Sequence, residues 1–268
     1  MDLQDRVRFP AKAFTLSSGG YGARDRLFIT SNCDRSYMQK TILITGAGRG
    51  IGYAIAKSLY DGNKLVLLTK SKDSHARIKK DFPKALCYNC DITSDSDLQK
   101  AFKDIRAKCK SIDVLVNNAG VYLSKSFEDT SPKEFDEVNS VLLKAPFVVT
   151  KMALPLLKRS NSPQVVTISS AAAFAPVAAE SVYSAAKSGL TTLMKVAREE
   201  LQKHRIRVTL IEPFGVNSAN IPNPKNLLRP EDIGELIKYV ISTDPNCEIL
   251  TVSLSATGQW FGGTPPWT

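Results

Sequence analysis

Long hydrophobic runs are missing from this sequence. No apolar stretch among its 268 residues reaches the roughly 18 to 20 that a membrane-spanning helix needs, so no membrane partner is expected. Residues 1–37 hold no continuous apolar segment ahead of a small-residue cleavage site, so no secretory signal is expected either. Glycine (15) and proline (14) are near average, which excludes collagen-like and low-complexity chains. Histidine is scarce, with only His75 and His204. Cysteine occurs five times, at Cys33, Cys87, Cys90, Cys109 and Cys247, an odd number at irregular spacing. That pattern argues against a secreted disulfide framework and for a reducing, cytoplasmic setting. Cys87-x-x-Cys90 has no second such pair and only two histidines to complete a four-ligand site, so both thiols read as packing at a strand end and no metal is expected.

Positive charge is in excess, with a formal net charge of +10. The basic residues are spread out, and the clusters are short: Lys70-Ser71-Lys72 and Lys79-Lys80. No basic stripe is interleaved with aromatics. A nucleic-acid partner is therefore not expected, whereas a phosphorylated ligand is.

Residues 1–37 are rich in Ser, Gly and Arg and show little periodicity, as in Ser17-Ser18-Gly19-Gly20. They are read as a poorly ordered extension or as the product of a mis-assigned start, with Met38 the natural one. Asp2, Asp5, Asp25 and Asp34 count against a mitochondrial transit peptide, which is poor in acids. From residue 41 short apolar runs (41–45, 64–69, 84–89, 112–117, 163–169, 206–212, 247–254) alternate with stretches long enough for helices. Ile51–Leu59, Glu134–Leu157, Val182–Leu201 and Ile233–Ile241 carry apolar residues at spacings of three and four, the helical signal. Pro230-Glu231-Asp232 reads as a helix start. Strands alternating with helices imply an α/β fold: a single doubly wound, Rossmann-type parallel sheet of seven strands with helices on both faces. One domain is expected over 38–260, followed by a mobile tail at 261–268.

Directly after the first strand stands Thr45-Gly46-Ala47-Gly48-Arg49-Gly50-Ile51-Gly52. A glycine cluster between a strand and an amphipathic helix lets backbone approach a pyrophosphate at the positive end of the helix. The spacing Gly-x-x-x-Gly-x-Gly resembles that of the short-chain dehydrogenase/reductase family. Further motifs follow in the family's order over about residues 40–255. The resemblance implies that Gly46, Gly48, Arg49, Gly50, Ile51 and Gly52 cradle a dinucleotide. It implies that Asp91 and Ile92 meet the adenine, and that Asn118, Ala119 and Gly120 of Asn117-Asn118-Ala119-Gly120 line the site. At the end of the second strand the acid that would bind NAD ribose is replaced by Thr69, followed by Lys70. Lys70 and Arg49 favour the 2′-phosphate, so NADP(H) is expected over NAD(H).

Tyr183 and Lys187 lie four apart, on one helix face. The ammonium is expected to lower the Tyr183 pKa toward use as an acid or base near neutral pH. Ser170, thirteen residues before Tyr183, resembles the family's serine, with Ser169 as its competitor. Asn139 matches the family's helix asparagine, implied to support a water relay; a structural kink is the alternative. Tyr183 and Lys187 are also implied to touch the cofactor, as are Pro213, Val216 and Ser218. Phe214 departs from the usual glycine after the sixth strand and puts the local backbone in question. Ala219–Leu228, stiffened by Pro222 and Pro224, is expected to be a short substrate lid.

Together these features predict a reductase or dehydrogenase acting on a carbonyl or secondary alcohol of a small or flexible substrate. The alternative is a catalytically silent NADP(H)-binding sensor or scaffold. The resemblance implies a homodimer or homotetramer built on the helices around 134–157 and 182–203, where Val141, Leu142, Phe147 and Val148 are core or interface.

Overall fold

In the computed structural model the described residues are 39–217 and 227–257. The expectations for residues 1–37, Ser218, most of the 219–228 segment and the 261–268 tail lie outside them.

Strands β1 (Thr41–Thr45), β2 (Lys64–Thr69), β3 (Leu86–Asn89), β4 (Val114–Asn117), β5 (Gln164–Ile168), β6 (Arg207–Pro213) and β7 (Thr251–Leu254) form one sheet in the order β3-β2-β1-β4-β5-β6-β7. Every pairing is parallel. The first strand lies in the middle of the sheet; the strands that follow run to one edge, then cross to the other. The crossing point lies between β1 and β4, where a doubly wound sheet opens a crevice at its carboxyl edge.

The apolar runs are continuous because both faces of the sheet are covered. Ile42 and Ile44 of β1 face one core, shared with α1 (Gly50–Leu59), Ile78 of α2 (Lys72–Asp81) and α7 (Pro230–Ser242). Leu43, between them, faces the other core. That core takes Leu98, Phe102 and Ile105 of α3 (Asp95–Lys108), Val149 and Ala153 of α5 (Ala145–Leu157), and Leu190 and Met194 of α6 (Ser181–Leu201). Helix α7 begins at Pro230 as expected, and the Asp232 carboxylate accepts from the Arg229 backbone N–H at 2.9 Å. Two helices were not singled out by periodicity. Of these, α2 buries only Ile78, too little to mark a stripe.

One expectation is corrected. Helix α4 (Pro132–Asn139), a π-helical turn (Ser140–Lys144) and α5 run on as 26 residues. An 18-residue window there reaches a mean hydropathy of 1.5, long and apolar enough by composition to cross a membrane. Asn139, Lys144 and Lys151 interrupt the run without lowering its mean enough. In the fold this is a core helix: Val149, Ala153, Leu156 and Leu157 pack under the sheet. Of the four residues left open as core or interface, Leu142 is buried, Val141 and Val148 are half-buried, and Phe147 is exposed.

Candidate active site

The turn between β1 and α1 is built around close backbone approach. Gly46 has φ +67°, and a Cβ there would lie 2.7 Å from the Ala119 Cα. A Cβ on Gly52 would lie 2.3 Å from the Gly46 carbonyl oxygen. Thr45 locks this turn to the end of β4. Its Oγ1 accepts from the backbone N–H of Asn118 (3.0 Å) and Ala119 (3.1 Å), and the Asn118 amide donates back to the Thr45 carbonyl at 2.9 Å. Asn118 and Ala119 thus clamp two adjacent strand ends. The signal for Thr45 was its place directly before Gly46, at the end of a buried strand.

Helix α1 differs from its neighbours at its start. Helices α2, α3 and α4 are capped by the side chains of Ser71, Ser94 and Ser131. At α1 the cap position is Arg49, without a side-chain cap and without an acid in the first turn. Gly50, with φ +53°, faces open space. Free N–H groups, a positive dipole end and no competing carboxylate suit an anion. The residues present therefore fit a dinucleotide pyrophosphate.

Lys70 and Asp91, expected at opposite ends of an adenosine, pair with each other at 2.8 Å. Asp91 also accepts from the backbone N–H (3.0 Å) and hydroxyl (2.7 Å) of Thr93. Burial pushes its carboxyl up, but Lys70 and Thr93 together hold it below the usual carboxylate range. Arg49 is exposed beside the turn, and Ile92 is half-buried against the second core. Sequence reading missed a third cation. Arg77 of α2 donates to the Gly48 carbonyl and lies over the Tyr53 ring at 4.6 Å. Its weakly periodic helix gave no sign that it turns back onto the glycine turn.

Ser170 lies close enough to Tyr183 to pull its phenol pKa down, while its Oγ accepts from the Ala172 backbone N–H at 3.1 Å. Ser170 follows β5, and Tyr183 sits in the first turn of α6. Ser169 is engaged inside the protein. It is 2% exposed and bonds Thr191 Oγ1 at 2.7 Å. Thr191 donates onward to Glu212 at 3.1 Å, a buried carboxylate that sequence reading did not flag.

Lys187 lies one helical turn beyond Tyr183. It is 5% exposed, donates to the Ile168 carbonyl at 2.9 Å and lies 5.9 Å from the Tyr183 ring centroid. Burial lowers its pKa to about 8. The expected lowering of Tyr183 is not found. Burial raises the phenol, Ser170 pulls it back and Glu180 adds to the rise. Desolvation of the phenol outweighs what the neighbouring groups return.

Asn139 ends α4, and its amide donates to the Phe135 carbonyl at 2.8 Å where the backbone switches to the π-helical turn. It therefore stands where the helical winding changes. Pro213 ends β6, and Val216 forms an isolated parallel bridge with Leu228. Phe214 is not strained. It is absent from the left-handed region, its N–H donates to the Leu254 carbonyl at 2.9 Å, and its ring meets Phe174 edge-on at 5.9 Å. Tyr122 meets Tyr183 edge-on at 5.2 Å. Gly120, Tyr122, Ser170 and Phe214 all follow strand ends on the carboxyl side of the sheet.

Comparison with known proteins agrees with this architecture. The family model for short chain dehydrogenases matches residues 40–226, and the chain belongs to that family of oxidoreductases. An uncharacterised oxidoreductase of Staphylococcus aureus is 28% identical over 222 residues, covering 80% of this chain and 96% of the relative. An alcohol dehydrogenase of Thermococcus sibiricus, solved with 5-hydroxy-NADP, superposes with a TM-score of 0.77 at 24% identity, covering 84% of this chain and all of that one. A metagenomic short-chain oxidoreductase solved with NADP gives 0.73 at 29% identity, covering 83% of this chain and all of that one.

Proposed function

We propose that this chain is an NADP(H)-dependent oxidoreductase acting between a carbonyl and a secondary alcohol of a small molecule. The observation that carries the reading is Lys187 buried one helical turn beyond Tyr183, 5.9 Å from its ring centroid and fixed by the Ile168 carbonyl. It lies on the same carboxyl edge as the uncapped start of α1. When bound, the dinucleotide supplies or takes up the hydride.

The chain's own residues handle the oxygen and its proton. Tyr183 Oη gives a proton to the substrate oxygen during reduction and takes it back during oxidation. The Ser170 hydroxyl holds that oxygen as charge develops on it. Lys187, fixed by the Ile168 carbonyl, sets the position and field behind Tyr183. Asn139, at the change of winding, orders water on the proton path. Gly46, Gly48, Gly50, Ile51 and Gly52 bring backbone N–H groups to the pyrophosphate. Asn118, Ala119 and Gly120 wall the nicotinamide side, while Pro213, Val216 and Ser218 meet the carboxamide. Asp91 and Ile92 receive the adenine.

The preference for NADP(H) rests on Thr69 standing where an acid would be needed for NAD, and on the cations Arg49, Lys70 and Arg77 around the same turn. The test is oxidation of NADPH and NADH against a panel of ketones, aldehydes, diketones and oxoacyl thioesters. Turnover with NADPH is expected, and Lys70→Ala should reduce the NADPH-to-NADH affinity ratio about tenfold. Equal affinities in the parent protein would overturn the cofactor assignment. Tight dinucleotide binding with silence across the panel would favour the sensor alternative.

The same reading makes the protein a cytoplasmic homodimer or homotetramer, supported by the exposed Phe135, Phe147 and Val196 on α4, α5 and α6. Light scattering at micromolar concentration should give at least twice the chain mass. A monomer would remove the assembly from the proposal.

A further inference from the structure

The carboxylate at the start of α6 is turned away from its own helix. Glu180 is the N-cap residue of α6, yet its side chain makes no cap bond, whereas Ser71, Ser94 and Ser131 each close the start of their helices. Free N–H groups and the positive end of a helix ordinarily draw an acid to that place. Glu180 accepts instead from the Tyr122 hydroxyl on the β4–α4 loop. No Lys or Arg among the described residues pairs with it. Lys125, from the same loop as Tyr122, is taken by Glu134 at 3.0 Å.

The backbone is shaped to keep this arrangement. Ala179, directly before Glu180, has φ +63°, a left-handed conformation that a residue with a Cβ adopts at a cost. Its carbonyl accepts from the Lys125 N–H at 2.7 Å, so the two loops are joined through backbone as well as through the Tyr122–Glu180 bond. The Ser184 N–H donates to the Glu180 carbonyl at 2.7 Å and ties this junction into the first turn of α6, where Tyr183 lies. The Tyr122 ring meets the Tyr183 ring edge-on, with centroids 5.2 Å apart. One side chain thus touches both the carboxylate and the ring of the phenol.

The other surroundings of Tyr183 bring no second acid. Lys187 of α6 lies 5.9 Å from the ring centroid, and Ser170 draws the phenol down. Helix α4 and the π-helical turn contribute the apolar Val138, Val141 and Leu142, and the 3-10 turn after Ser170 is Ala171–Ala173. Burial raises the Tyr183 phenol, and Glu180 adds to that rise. Burial and Glu180 also push the Tyr122 phenol up to about 12, so Tyr122 keeps its proton and its bond to Glu180 through neutral and mildly alkaline pH.

We propose that Glu180, held by Tyr122, is a positioning residue for Tyr183 and sets the pH at which alcohol oxidation begins. The inference rests on the oxidoreductase reading above and adds two residues to the groups that handle the substrate oxygen. A fixed negative charge beside a desolvated phenol opposes the loss of the phenol proton. Anchoring by Tyr122 keeps that charge at a constant place instead of letting it turn out to water.

The test compares the pH profile of alcohol oxidation by the full chain with that of Glu180→Gln, which keeps the shape and removes the charge. The break in the profile should move to lower pH, so that the rate at pH 8, taken relative to the alkaline plateau, rises about threefold. Glu180→Asp, which keeps the charge, should stay near the parent protein. A dinucleotide-binding titration checks that each variant is folded. A merely structural role would lower the rate at every pH and leave the break in place. A break that is unmoved in Glu180→Gln, or that moves to higher pH, would overturn the inference while leaving the oxidoreductase reading standing. If no carbonyl or alcohol is turned over, that reading fails and the inference is decided by fluorine NMR of protein labelled with 3-fluorotyrosine, the Tyr183 signal being identified by its loss in Tyr183→Phe. Ionisation of Tyr183 at lower pH in Glu180→Gln than in the parent supports it, and ionisation at the same or higher pH overturns it.

Discussion

Tyr183→Phe is expected to lower turnover about a thousandfold while leaving dinucleotide binding in place. The substitution removes one hydroxyl from a ring that Tyr122 and the apolar cluster around Val182 and Ala186 continue to hold, so the fold has no reason to respond. The proton is the part that is lost. The pH profile makes the assignment specific. Burial raises the Tyr183 pKa, so the phenol stays protonated across neutral pH. Reduction, which needs the proton, should be flat from pH 6 to 8. Alcohol oxidation needs the phenolate and should climb with pH over the same range. Wild-type turnover in the variant, or an oxidation rate that falls as pH rises, would remove Tyr183 from the role of acid and base.

Lys187→Met is expected to abolish activity and yet to stabilise the protein at pH 7. A buried ammonium is costly, and here its pKa falls from 10.5 to about 8. That shift corresponds to roughly 3 kcal/mol of penalty at neutral pH. Methionine fills similar volume, and the orphaned Ile168 carbonyl gives back about 1 kcal/mol, which leaves a net gain on the order of 2 kcal/mol. The sign of the pH dependence follows from proton counts. Below pH 8 the lysine is charged in both folded and unfolded chains, and the full penalty is present. Between pH 8 and 10.5 the unfolded chain keeps the proton while the folded one loses it, so the parent protein gains stability. The variant's advantage should therefore shrink through that window. Urea unfolding at pH 7 and pH 10 measures it. An advantage that is absent at pH 7, or that grows with pH, would contradict the burial argument.

The alternation of strands and helices was legible because two-sided burial leaves continuous apolar runs. Leu65-Val66-Leu67-Leu68 alternates between the two cores, yet each residue is buried. The glycine turn was legible because backbone contacts at Gly46 and Gly52 tolerate no other residue. What escaped depends on through-space partners. Arg77 gains its place only because α2 folds back over Gly48, and Glu212 only because Thr191 reaches it from α6. The Tyr183 pKa was misjudged for a related reason. Spacing shows that an ammonium is near, but not that burial of the phenol outweighs it. The π-helical turn left no trace, because one wider turn does not disturb an already apolar stretch.

The Lys70–Asp91 pair has a consequence for cofactor choice. The Lys70 ammonium is already paired, so under the proposed cofactor assignment a 2′-phosphate there would exchange one anionic partner for another. Discrimination is then the difference between two ion pairs, both largely in water, where each is worth little. Selectivity built this way is modest in size and shallow in its dependence on ionic strength. An enzyme so equipped follows the nucleotide pool around it more closely than one that rejects the wrong dinucleotide with a buried acid.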